Sequence, residues 1–275
     1  MFTLEDLKKD RKDVIEKVLL ESGRAGVISF CSEVLDKRAY FTVDMYGNIK
    51  RKGYEYVIPA AVFTEKDADF INYTAESLDF TEKTKIEKTG RMTNADTLEV
   101  KKNIFKLIVK GDCHFSMKHC KELYMRDKDE FFKMMFTLSM MDNISFEKPL
   151  ALYSLKRYFE KYGYSDEALY LTISYVAKMR ADFRDYENAV KENISENISK
   201  EQLKEIIKKD INKYETKKGL EILGYLSVLL SYSYEKENIF ASILKEKIDE
   251  FEKVSEDKEL SSKEKEIFRN LSKEV

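Results

Sequence analysis

The sequence predicts a mainly α-helical protein, a multi-helix bundle or irregular α-helical array with a small N-terminal α+β portion. Three observations lead there. Only 2 prolines and 9 glycines interrupt 275 residues, which favours long helices joined by short polar loops. Apolar residues recur at helical spacing along most of the chain, while one stretch near the N-terminus alternates instead. A charged fraction of 36% beside 12% aromatic residues describes a folded chain with a charged surface, because disordered chains lack that aromatic content.

Residues 4–22 place Leu4, Leu7, Val14, Ile15, Val18 and Leu19 at helical spacing, and Gly23 is suited to close that helix. Val27 to Leu35 fits two readings, a strand through VISF or a helix that gathers Phe30, Val34 and Leu35. From Ala39 the pattern alternates: Phe41, Val43 and Met45 share a face, Gly47-Asn48 marks a turn, and Ile49, Tyr54, Tyr56 and Ile58 follow. A β-hairpin over about 39–58 is expected, turning at Tyr46 to Asn48, irregular at Gly53, with Pro59 ending its second strand. Thr64 and Asp67 resemble a cap for a helix over 65–79 that turns Ala68, Ile71, Ala75 and Leu78 inward.

Residues 81–94 are the most polar stretch of the first half and mark the expected boundary between an N-terminal portion, 1–92, and a helical domain, 93–275. Beyond it helices are expected over 96–110, 116–126, 129–142, 148–162, 166–190, 200–218, 220–234, 238–254 and 262–273. Gly111 and Gly163 stand at two C-termini, Ser165 at an N-terminus, and Ser199/Gln202 and Ser261/Glu264 have capping-box spacing. The 220–234 helix is apolar almost all round, through Leu220, Leu223, Leu226, Val228, Leu229 and Leu230, and should be the central, buried one.

Charge bounds the function. Forty-nine basic and 51 acidic residues give a formal net charge of −2, with 26 of each sign in residues 1–150 and 23 against 25 in the remainder, so nothing global favours nucleic acid or a membrane. Three cysteines, an odd number, suit a reducing cytoplasm better than a disulfide framework. The N-terminus lacks the apolar block of a signal peptide, and the most apolar stretch, Leu220 to Tyr234, falls short of the roughly 20 residues a membrane span needs. Abundant lysine without tryptophan suggests an AT-rich genome, bacterial or phage.

The densest cluster of reactive side chains is CHFSMKHC, where Cys113, His114, His119 and Cys120 are all zinc-ligand types. On one helix they do not converge: His114 and His119 lie about 140° apart, so a metal site needs residues 111–115 to loop back. Small buried cysteines with surface histidines are the simpler reading, and no cofactor is expected. In the hairpin Lys50, Arg51 and Lys52 accompany Tyr46 and Tyr54, with Lys37 and Arg38 just before it, the cation and aromatic types that bind single-stranded nucleic acid. The competing explanation is edge-strand protection by charge. The tyrosine-rich stretch 153–175 reads first as core-edge packing and second as a protein-binding patch. Arg180 and Arg184 could clamp a phosphate, though Asp182 and Asp185 offer ordinary partners. Gly23 to Gly26 lacks the context of a nucleotide loop.

With both histidines confined to one segment and no carboxylate pair standing out, the leading expectation is a non-enzymatic intracellular protein whose helical surface binds another protein. An RNA- or single-stranded-DNA-binding protein using the hairpin is the alternative, and a metal-dependent enzyme built on His114 and His119 the third class. No membrane partner is expected.

Overall fold

A computed structural model describes residues 2–35, 41–43, 45–47, 49–51, 55–81, 92–142, 147–179, 181–192, 198–253 and 257–275. The protein is mainly α-helical, with fourteen α-helices among the described residues. The chain forms two compact units, one of residues 1–126 with 155–179 and the other of residues 127–154 with 180–275. Residues 93–126, expected with the C-terminal domain, cluster with the first unit.

The first unit begins with α1 (Leu4–Lys9), capped by Thr3 and Asp6 in a reciprocal capping box, and α2 (Arg11–Leu35). Gly23 does break the helix, at φ 66°, but the chain resumes helical geometry at once, so Val27 to Leu35 is helix and Val27, Ile28, Cys31 and Val34 are buried. The hairpin expected over 39–58 is not formed at that length. A ladder of three antiparallel pairs joins β1 (Phe41–Val43) to β2 (Ile49–Arg51), with Phe41 opposite Arg51. Tyr56 is the N-cap residue of α3 (Val57–Phe63), so the expected second strand gives way to helix at Val57. The reason lies in VIPAAVF, an apolar run whose periodicity cannot separate a buried strand from a buried helix. Pro59 falls in the first helical turn, where a missing N–H costs nothing.

The Thr64/Asp67 cap is likewise not formed: α4 (Asp67–Ser77) starts after Lys66 without a side-chain cap, and the Thr64 hydroxyl donates to Ala60 O instead. Arg24 explains the change. Buried between α2 and α3, it donates through Nη1 to Thr64 O at 2.8 Å and Ala61 O at 3.1 Å, and through Nε to Asp67 at 2.9 Å. It thereby satisfies carbonyls that the end of α3 would leave orphaned. The unit is completed by α5 (Thr97–Lys110), α6 (Cys113–Arg126), the second half of α8 (Glu147–Tyr162) and α9 (Asp166–Lys178). There α9 packs on α2, α5 and α6.

The second unit is organised by α12 (Lys217–Ser231), which contacts α7 (Lys128–Met141), α11 (Lys200–Lys209), α13 (Glu237–Lys253) and α14 (Ser262–Glu274). Leu220, Leu223, Tyr225, Leu226, Val228 and Leu229 are fully buried, on every side of the helix, so this is the central helix of its unit. Each such side chain contributes about 1.5–3 kcal/mol on removal from water. The capping boxes at Ser199 and Ser261 form, and Thr216 caps α12 itself. Two expected helices are interrupted: 166–190 becomes α9 and α10 (Arg184–Lys191), and 200–218 becomes α11 followed by a 3-10 turn over Ile211–Tyr214.

Gly224 lets α12 approach the first turn of α8. A Cβ there would stand 2.6 Å from Leu150 Cβ and 2.9 Å from its Cα. Alanine for glycine inside a helix ordinarily stabilises by up to about 1 kcal/mol. Here Gly224→Ala is expected to destabilise by about 1–3 kcal/mol through overpacking, read as a lower melting temperature; a rise would contradict this helix contact.

Candidate functional site

The structure separates the residues of CHFSMKHC. Helix α6 starts at Cys113, so the loop that a metal site needs at 111–115 is not formed. Cys113 points its thiol at Ser174 O and Gly111 O, His114 is exposed and packs edge-on against Phe115, and Cys120 is fully buried. Among the described residues no group of three or more His, Cys, Asp or Glu side chains is placed to hold a metal ion. Burial pushes the Cys31 thiol up to about 12 and that of Cys120 still higher, which removes the thiolate that nucleophilic chemistry needs.

Of the hairpin set, Tyr46 is exposed at the turn, and Lys50 and Arg51 pair through their backbones with Thr42 and Phe41. Lys37, Arg38, Lys52 and Tyr54 lie outside the described residues, as does Arg180. Arg184 forks onto Asp182, with Nε at 2.8 and 3.0 Å from the two carboxylate oxygens. The tyrosine stretch is internal packing: Tyr158 is in the core, Tyr162 donates to Ala61 O at 2.8 Å, Tyr153 donates to Glu274, and Tyr164 stacks on Tyr124.

Two charge clusters escaped the sequence reading. Lys148, at the start of α8, is paired with Asp142 at the end of α7; both are fully buried, and Asp142 also accepts from Asp182 N at 3.1 Å. Burial lowers the Lys148 pKa, against the attraction of Asp142. Removing either partner of such a pair strands the other charge at a cost of about 3–5 kcal/mol. The second cluster surrounds Glu221 on α12, whose carboxyl is raised to about 8 by burial, then by Glu147 and Asp257, with Lys217 and Lys218 opposing. Lys217 is itself paired with Glu264, and Asp257 accepts from Lys218 N at 2.9 Å. Nothing in the sequence distinguishes these residues from the many mixed-charge surface positions.

The surface offers a different feature. Helix α5 buries Val100, Ile104 and Ile108 on one side and exposes Leu98, Phe105 and Val109 on the other, at 60%, 40% and 44%. Both ends are held. The N-terminal approach is fixed by buried Glu122 of α6, which accepts from Thr93 N and Oγ1, while Arg126 donates to Thr93 O and Ala95 O. Asp96 then caps the helix, and Gly111 closes it at φ 76°, its N–H reaching Ile108 O. Single exposed apolar residues are ordinary, but three in line on an anchored helix form a surface suited to a partner. The sequence marks 96–110 as a helix, and the spacing of 98, 105 and 109 is the signal that it carries a second apolar stripe.

Among the described residues no helix is long and apolar enough to cross a membrane. Compared with protein-family models, curated proteins and solved structures, the chain matches none.

Glu221 carries a pH dependence whose sign follows from its shift. The folded protein holds that proton up to about pH 8, whereas an unperturbed glutamate releases it near 4.5. Between those values the folded state binds more protons than the unfolded one, so this group's contribution favours folding at low pH and is lost as pH rises toward 8. Glu221→Gln is therefore expected to raise the melting temperature at pH 8.5 and to change it little at pH 4.5. Equal melting of variant and wild type at pH 8.5 would contradict the burial of this carboxyl.

Proposed function

We propose that the protein is a non-enzymatic, intracellular interaction protein that acts through the outward face of α5. The observation that carries this reading is the stripe of Leu98, Phe105 and Val109, exposed on a helix anchored at both ends. An anchored helix presents its side chains at little ordering cost, which is what helix-mediated recognition requires. The buried, protonated thiols of Cys31 and Cys120 and the dispersal of the zinc-type ligands on α6 support a binding role over a catalytic one.

Replacing Leu98, Phe105 and Val109 together by serine should leave the melting temperature nearly unchanged, since exposed positions contribute within about 0.5 kcal/mol each. The same variant, tagged and purified from its source cells, should lose the macromolecule that accompanies the wild type. Retention of the same company by the triple variant overturns the assignment of this face. If that retained company disappears on nuclease treatment, the function passes to nucleic-acid binding, and the exposed Tyr46 becomes the place to look.

A further inference from the structure

Along α5, Leu98, Lys102, Phe105 and Val109 follow the 4-3-4 spacing of a coiled-coil seam. At 100° per residue the three apolar members fall within an arc of about 40°, opposite buried Val100 and Ile104. The flanks carry opposite charges at opposite ends. Glu99 and Lys106, both exposed, lie seven residues apart on the same flank, about 90° from the seam.

We propose that a second copy of this chain covers the stripe, its α5 lying antiparallel to the first across a two-fold axis near residues 102 to 105. This rests on the reading of α5 as the interaction face and names its occupant. The antiparallel arrangement sets Leu98 of each copy against Val109 of the other and lays the Lys102 ammonium against the Phe105 ring, a cation–π contact made twice. It also brings Glu99 of each copy opposite Lys106 of the other, again twice. In a parallel two-fold pairing the Glu99/Lys106 flanks of the two copies would lie on opposite sides of the seam and neither ion pair would form, so the charge pattern selects the antiparallel form.

Sedimentation equilibrium of the purified full-length protein tests this. The wild type should sediment at twice the chain mass at about 100 µM and dissociate on dilution. Phe105→Asp should remain at the chain mass throughout. Glu99→Lys and Lys106→Glu should each raise the dimer dissociation constant about fivefold, as expected for two exposed ion pairs, and the double reversal should restore it. Both charge variants replace exposed residues, so they keep the test valid if Phe105→Asp fails to fold. A wild type that stays at the chain mass at 100 µM, a dimer indifferent to Phe105→Asp, or a double reversal no tighter than the single variants would each overturn the proposal. A monomeric wild type whose serine triple variant still loses a companion defeats only the second copy as occupant, whereas retention of that companion defeats the face itself.

Discussion

A helix that is apolar on every side has to be enclosed on every side, and α12 imposes that constraint on its whole unit. Leu220, Ile222, Leu223, Tyr225, Leu226, Val228 and Leu229 are spread around the whole helix and cannot all share one face, so α7, α11, α13 and α14 approach from different directions. Gly224 admits Leu150 of α8 at a distance no side chain would allow. Tyr225, buried with them, keeps its hydroxyl satisfied by donating to Met140 O at 3.1 Å. Of the polar groups trapped by this packing, Ser227 and Tyr234 donate to helix carbonyls and Asp142 pairs with Lys148, both fully buried, while the Tyr214 and Ser242 hydroxyls have no hydrogen-bond partner among the described residues.

The first unit solves a different problem, the joining of several short helices whose ends would otherwise expose carbonyls and N–H groups to apolar surroundings. Arg24 does this at the end of α3, and Glu122 with Arg126 does it before the start of α5. These arginines reach more than thirty residues along the chain, and each fixes a helix terminus in place. The consequence for function is that α5 is held from both ends while its outer stripe stays accessible to a partner.

Helix positions were largely legible, because 3.6-residue periodicity, capping boxes at Ser199 and Ser261 and the closing glycines 111 and 163 are local signals. The failures share a cause. VIPAAVF at 57–63 is apolar throughout and too short to show a period, so tertiary burial, not pattern, decides for helix. Gly23 was readable as a break but not as a kink inside a continuing helix, since the choice depends on Arg24 finding the end of α3. The candidate site was hidden for a related reason. A helix with two apolar stripes does not reveal which one faces inward until Val100, Ile104 and Ile108 are seen against their neighbours. The buried charges Asp142, Lys148 and Glu221 look in the sequence like any other members of a highly charged chain.

The account turns on α5 being covered by a partner in the cell and open in dilute solution. Hydroxyl-radical footprinting of the protein in its source cells and of the purified protein at submicromolar concentration measures that difference at Leu98, Phe105 and Val109, with Leu20 of α2, 81% exposed, as the internal reference. The account predicts strong protection of the three α5 side chains in cells, full oxidation in dilute solution, and an unchanged Leu20. Equal oxidation of the stripe in both states would contradict it.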